Sequence, residues 1–319
     1  MTERLFQDLL EGSPQDSVER LRSAVMGGRA AGPQREHLRV DLPRADPLPG
    51  SGKPVLIVGR AEEGLDLLPD RSVQTVVTSP PYWSLRDYEV DDQIGRDDAL
   101  ADYVKSIVVT FDEIRRVLTD DGTVWLNVGD SYTSGNRRYR APDRKNRARA
   151  MRVRPATPEG LKPKDLIGVP WRLAFALQDA GWWLRSEVIW HKPNAHPESV
   201  RDRPTKAHES LFLLSKNKDY FYDVDAVRGP NDRRLRTVWD INTEPRRRDD
   251  CGVEDHPAVM PLTLADQCIT ITSKPGDMVL DPYAGSGTTL LAARALDRRW
   301  AGIELSPAFV DLIERRLAQ

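Results

Sequence analysis

Cysteine is almost absent: two residues in 319 cannot build a disulfide framework or a four-cysteine zinc site. The pair, Cys251 and Cys268, suits a reducing cytoplasm. Neither follows a proline. Long apolar runs are missing as well. None approaches the roughly 18 residues of a membrane-spanning helix. The N-terminus is acidic and amphipathic, without the basic-then-apolar pattern of a secretion signal. Charge of one sign is lacking too. Lys and Arg number 47 against 49 Asp and Glu, a net of −2, so overall charge announces no polyanionic partner. No internal repeat is present.

Local charge is different. Nine Arg or Lys fall between Arg137 and Arg154, among them Arg137, Arg138, Arg140, Arg144 and Lys145, with Asp143 the only acid. Shorter basic clusters follow at Arg233, Arg234 and Arg236 and at Arg246–Arg248. Such runs are solvated loops or contacts for phosphate backbones.

Apolar periodicity orders the chain. Residues 1–26 read as an amphipathic helix and 27–53 as a linker or extended arm. Strands are expected at 55–58, 73–78, 123–128, 182–190, 211–214, 278–281 and 300–304. Helices are expected at 62–68, 99–118, 165–180 and 261–272, from Thr288, and up to Arg316. The basic stretch 134–164 and residues 223–255 read as irregular. Trp182, Trp183 and Trp190 fit a strand and are assigned to the core. The pattern is α/β, with a doubly wound, mostly parallel sheet. Only one helix follows Glu304, so the remaining strands must come from the N-terminal half. Strand 55–58 should therefore lie beside strand 300–304.

Two strand ends carry chemistry. Strand 73–78 delivers Thr78-Ser79-Pro80-Pro81-Tyr82-Trp83. In open α/β sheets, ligands bind at the carboxyl ends of strands. The two prolines fix φ and lack N–H groups, leaving their carbonyls as acceptors. Acceptors beside aromatic rings suit a planar group with an exocyclic amine, which points to a nucleobase. Strand 278–281 leads into Asp281-Pro282-Tyr283-Ala284-Gly285-Ser286-Gly287-Thr288-Thr289. Its glycines allow close backbone approach, and the following helix N-terminus favours an anionic group. Glu304 ends the next strand, where an acid can hold ribose hydroxyls. Leu290 stands where a dinucleotide fingerprint has its third glycine, which argues against NAD. Asp281 is placed to meet an ammonium. Ammonium, carboxylate and ribose together describe S-adenosylmethionine.

In sequence and order, these motifs resemble the β-class amino-methyltransferases of DNA, over roughly residues 54–317. In that class the Ser-Pro-Pro-Tyr-type motif precedes the S-adenosylmethionine motif. The resemblance implies a circularly permuted, seven-stranded Rossmann-like sheet with basic DNA-binding insertions. It implies a catalytic half at 54–222, a target-recognition region at 223–255 and a cofactor half at 256–319, after an N-terminal arm at 1–53. Gly59, Ala61, Leu305 and His256 fall in segments that meet the cofactor. The family usually has an acid after Gly59 to hold the adenine amine, but Arg60 stands here. His191–Asn194 and Arg203–Glu209 resemble segments near the catalytic pocket, with Lys192, Asn194, Arg203 and Lys206 as candidate DNA contacts.

An exocyclic amine is a poor nucleophile because its lone pair is delocalised into the ring. The Ser79 hydroxyl and the Pro80 carbonyl can accept its hydrogens and free that pair, with Pro81 fixing the turn and Tyr82 stacking on the base. The base must leave the duplex to reach them. Cytosine C5 methylation needs a Pro-Cys pair, which is missing. Ser79 at the motif's head resembles the cytosine-N4 enzymes more than the adenine-N6 enzymes, which mostly carry Asp or Asn. Rival readings are an adenine-N6 enzyme, a methyltransferase of RNA, protein or a small molecule, and a silent DNA-binding protein. Duplex DNA is the expected partner and a restriction endonuclease a candidate one. The expected setting is the cytoplasm, on the nucleoid, as a monomer or homodimer.

Overall fold

The computed structural model describes residues 37–42, 53–83, 93–96, 98–133, 156–195, 197–244 and 260–319. The helix expected at 1–26, most of the basic stretch 134–164, the Arg246–Arg248 cluster, Cys251 and His256 lie outside the described residues.

The strands are β1 (Leu38–Asp41), β2 (Val55–Val58), β3 (Val73–Thr78), β4 (Leu118–Val128), β5 (Trp183–His191), β6 (His208–Ser215), β7 (Arg228–Gly229), β8 (Arg233–Arg234), β9 (Val238–Asp240), β10 (Met278–Asp281) and β11 (Arg299–Glu304). The helices are α1 (Ala61–Asp66), α2 (Leu100–Val117), α3 (Val169–Asp179), α4 (Leu262–Thr272), α5 (Thr288–Ala295) and α6 (Pro307–Ala318). Nine strands form one sheet in the order β1-β2-β11-β10-β3-β4-β6-β5-β9, and β7 pairs with β8 in a small hairpin.

The seven expected strands occupy the middle of this sheet, β2 through β5. Two edge strands add to them from stretches that look irregular in sequence. β1 comes from the stretch read as a linker and pairs parallel to β2. β9 comes from the basic stretch after residue 223 and pairs parallel to β5. β2 lies beside β11 with Val55 opposite Ala301, as the chain order required. Only β6 runs against its neighbours.

Strand residues alternate between two cores, as a pleat demands when both faces are covered. Ile57, Val76, Val124, Leu126 and Phe212 join Tyr103, Ile107 and Phe111 of α2 on one face. Leu56, Val77, Trp125 and Leu213 join Ile269 of α4, Leu290 of α5 and Ile313 of α6 on the other. Trp182 and Trp190 are core residues as expected. Trp183 is not: it is 45% exposed, because the pleat turns it to the opposite side from its neighbour.

Two boundaries moved for identifiable reasons. β4 begins at Leu118 rather than 123, because a bulge against β3 between Val73 and Thr75 absorbs the Asp-Asp-Gly segment that looked like a turn. α3 begins at Val169 rather than 165. Asp130, two residues past the end of β4, accepts from the amides of Gly168 and Val169 at 3.1 Å and caps the helix from a distance.

Candidate active site

β10 and β3 are neighbours, yet the chain leaves them in opposite directions. β10 continues outward through β11 and β3 through β4. A crevice opens at the carboxyl ends where such a reversal occurs. It is lined by Gly59, Arg60, Ala61 and Glu62 after β2, Ser79–Tyr82 after β3, Asp281–Ser286, Thr288 and Thr289 after β10, and Glu304, Leu305 and Ser306 after β11. Ile94, Met260 and Phe309 contribute apolar walls. The expected catalytic and cofactor residues that are described therefore converge on one cleft, except Gly287. Gly287 caps α5 instead. Its φ of +78° is left-handed, and a Cβ there would sit 2.9 Å from Ile313 Cγ1.

On the β10–β11 side, two carboxylates are buried. Asp281 Oδ1 accepts from the Thr78 hydroxyl at 2.7 Å and the Tyr283 amide at 3.1 Å. Glu304 accepts from the amides of Gly285 at 2.7 Å and Ser306 at 2.8 Å. The Gly-rich turn thus holds the protein's own carboxylate, and Gly287 N–H is taken by the Ala284 carbonyl at 2.7 Å. Burial pushes Asp281 up to about 6, against the hydrogen bonds of Thr78 and Thr289. Burial likewise pushes Glu304 up to about 7, and the nearby Asp281 adds to it. No described Lys or Arg offsets either penalty. Two such carboxylates suit a cationic ligand with hydroxyls, and this is what S-adenosylmethionine offers.

Arg60 stands after Gly59, and an acid, Glu62, follows two residues on in the first turn of α1. Glu62 lines the cleft, accepts from Thr110 Oγ1 at 2.9 Å, and lies 3.8 Å from Arg60 Nε.

On the β3–β4 side, the Ser-Pro-Pro-Tyr corner is held by a polar network. Ser79 Oγ donates to Tyr82 Oη at 3.1 Å, with the Asn127 carbonyl 3.3 Å away. Tyr82 donates to Glu209 Oε2 at 2.7 Å. Asn127 Nδ2 donates to both Tyr82 Oη and Glu209 Oε2 at 3.0 Å. Lys192 closes the set through Glu209 Oε1, with its ammonium 4.1 Å from the Trp190 ring centroid. Burial would raise the Glu209 carboxyl, but the Lys192 charge and the donors from Lys192, Tyr82 and Asn127 prevail and hold it near 2. The Pro81 carbonyl is not free, since Tyr103 Oη donates to it at 2.9 Å. Tyr82 is only 7% exposed, and its ring presses on Gly129, where a Cβ would come within 2.6 Å. Little of that ring is open to a stacked base.

Asn127 and Glu209 were not singled out as site residues by the sequence. Asn127 looks like an ordinary strand residue, and the only hint of Glu209 was its place at the end of the Arg203–Glu209 segment. Among the candidate DNA contacts, Lys192 is tied to Glu209 and Lys206 Nζ donates to the Asp130 carbonyl at 2.9 Å. Asn194 exchanges hydrogen bonds with Thr243. Arg203 stacks on Tyr132 at 3.8 Å and pairs with Glu198. Arg233, Arg234 and Arg236 are exposed around β8. The five in the basic stretch, Arg137 to Lys145, are outside the described residues. No described helix is long and apolar enough to cross a membrane.

Comparison with known proteins adds a family. The DNA methylase family profile matches residues 73–315. The chain is 54% identical over 280 residues to the type II methyltransferase M.Cfr9I of Citrobacter freundii, covering 86% of this chain and 91% of that protein. It is 53% identical over 268 residues to the type II methyltransferase M.SmaI of Serratia marcescens, covering 82% and 90%. Among solved structures, a putative DNA modification methylase from Thermus thermophilus, complexed with S-adenosylmethionine, superposes with a TM-score of 0.57. It is 26% identical and covers 82% of this chain and 92% of that one. The PvuII cytosine-N4-specific DNA methyltransferase superposes with a TM-score of 0.62 at 20% identity, covering 82% and 92%.

Proposed function

The chain belongs to the DNA methylase family of S-adenosylmethionine-dependent amino-methyltransferases, and on that footing we propose that it methylates the exocyclic N4 of a flipped cytosine in duplex DNA. One observation carries the choice of chemistry. Ser79 Oγ lines the cleft while its hydrogen has acceptors behind it, so the oxygen meets a ligand as an acceptor, as an amine requires. The serine itself, in place of Asp or Asn, favours cytosine over adenine.

When bound, S-adenosylmethionine supplies an electrophilic methyl group on a sulfonium. Asp281 holds the ammonium, Glu304 the ribose hydroxyls and Glu62 the adenine amine in this reading. Ser79 and the Pro80 carbonyl accept the hydrogens of the target amine. Pro81, with its carbonyl tied to Tyr103, fixes the turn, and the Tyr82 hydroxyl orients Ser79. The acceleration then comes largely from placing the amine in line with the methyl carbon. In this reading the basic stretch 134–164 contacts the DNA backbone and 223–255 reads the site, a role that the exposure of Arg233, Arg234 and Arg236 supports. The type II names of the relatives support a restriction–modification role beside a cognate endonuclease, in the cytoplasm.

The test is transfer of tritiated methyl to duplex DNA, followed by digestion to nucleosides. Label in N4-methylcytosine, lost in the Ser79→Ala variant, is the expected result. Label in N6-methyladenine alone would reverse the choice of base. Equal labelling of RNA, or tight DNA binding without label, would defeat the DNA-methylation reading.

A further inference from the structure

We propose that Tyr82 and Glu209 form a proton relay that carries the hydrogen released by the methylated amine from Ser79 to the Glu209 carboxylate. The relay rests on the assignment of Ser79 to the target amine and holds for either base.

Its basis is hydrogen-bond counting. A phenol has one hydrogen to give and two lone pairs to receive. The hydrogen of Tyr82 goes to Glu209 Oε2 at 2.7 Å, and Asn127 Nδ2 occupies one lone pair at 3.0 Å. The second lone pair takes the hydrogen of Ser79 at 3.1 Å. The other contact of Ser79 Oγ, the Asn127 carbonyl, is again an acceptor. Ser79 therefore points its hydrogen into the protein and its lone pair into the cleft. An oxygen fixed this way accepts an amine and repels a carbonyl, so it also turns away the keto bases.

The amine must lose a proton. Its nitrogen spends the lone pair on the new C–N bond while the electrons of the broken C–S bond stay on sulfur. The nitrogen's proton passes to Ser79 Oγ as the Ser79 hydrogen moves to Tyr82 Oη and the Tyr82 hydrogen to Glu209 Oε2. Both hydroxyls end as they began, and Glu209 becomes a neutral acid. The methylated exocyclic nitrogen, still carrying both hydrogens, is a far stronger acid than a carboxylic acid, because losing one proton restores conjugation with the ring. Transfer is downhill even to a carboxyl held near 2 by Lys192. The same low value returns the proton to water afterwards, since Glu209 keeps 16% of its side chain exposed. Glu209 touches no reacting atom and receives the proton through Tyr82.

The experiment is single-turnover methylation of unmethylated bacterial duplex DNA by Tyr82→Phe, Glu209→Gln and the double variant. Rates are taken in H2O and D2O, and S-adenosylmethionine and DNA affinities are measured separately. The amide oxygen introduced by Glu209→Gln would still accept from Tyr82, so this substitution removes the charge and keeps the geometry. Each single change is expected to slow transfer by about 100-fold, the double no further, and the wild-type slowing of about twofold in D2O should vanish with Tyr82→Phe. Both affinities should stay within about twofold of wild type, as expected when only a step after binding is touched. A Tyr82→Phe enzyme at full speed, or losses that multiply in the double variant, would overturn the relay. If Glu209→Gln fails to bind S-adenosylmethionine, Tyr82→Phe decides alone. Wild type that labels no DNA would remove the underlying reading and the relay together.

Discussion

Glu304 and Glu209 stand at the same end of one sheet, and burial penalises both. The outcomes are opposite. Glu304, with Asp281 beside it, receives backbone amides and hydroxyls but no cation among the described residues, and both carboxyls are pushed towards neutrality, to about 7 and about 6. Glu209 has Lys192 and two further donors, and stays ionised, near 2. Amides and hydroxyls alone do not offset the cost of burying a carboxylate here, whereas one ammonium in contact does. The β10–β11 side of the cleft thus favours a cationic ligand. The β3–β4 side carries its own counter-charge and is organised beforehand.

The sharpest way to break the contrast is to remove the counter-charge. Lys192→Met leaves Glu209 partly buried without a cation, and should lower stability by about 3 kcal/mol. Adding Glu209→Gln should recover more than half of that loss. Urea unfolding of the two variants measures both. A single variant as stable as wild type would mean that the Lys192 pairing adds nothing.

On the other side, pH should tune ligand binding. Asp281 and Glu304 have raised values in the ligand-free protein, and a cation favours their charged forms. Binding therefore releases protons, and affinity for S-adenosylmethionine should rise with pH through 6–7. A fall of about tenfold in affinity is expected on lowering the pH from 8 to about 5.5. Calorimetry in two buffers of different ionisation enthalpy reads the protons directly, and Asp281→Asn should flatten the profile. The same shifts fix the sign for folding. The stability that these two groups contribute to the ligand-free protein is fully present below about 4, where unfolded carboxyls are also neutral, and is lost as pH rises towards 7. Thermal scans across that range check this. An opposite slope confined to the Asp281→Asn difference would refute it.

A smaller effect should come from Thr78→Val. It removes a buried donor to Asp281 and costs about 1 kcal/mol. It should also raise the Asp281 value further and weaken S-adenosylmethionine binding at neutral pH by a few fold. Equal affinity in the two proteins would show that Thr78 does not set the charge of Asp281.

Most of the cleft lining is legible in the sequence, for a local reason. Thr78–Trp83 and Asp281–Thr289 are contiguous strand-to-turn segments, and their proline, glycine and acid positions act on the backbone that carries them. The misses share a different cause. Asn127 and Glu209 matter through contacts to Tyr82 that span 45 and 127 residues. β1 and β9 lack the apolar runs of the central strands, because edge strands need only one covered neighbour. Val40 and Trp239 are their main buried anchors. The start of α3 depends on Asp130, 39 residues before Val169, so no local capping residue announced it.

By itself, the sequence determined the seven central strands, which of their ends meet in one cleft, and that the chain order must bring strand 55–58 beside strand 300–304. Period-two burial and turn chemistry are written within a few neighbouring residues. The tertiary structure alone decided which charges are matched. It placed Lys192 against Glu209 and gave Asp281 and Glu304 no cation among the described residues. That outcome follows from sheet order and depth of burial, which no short stretch of chain encodes.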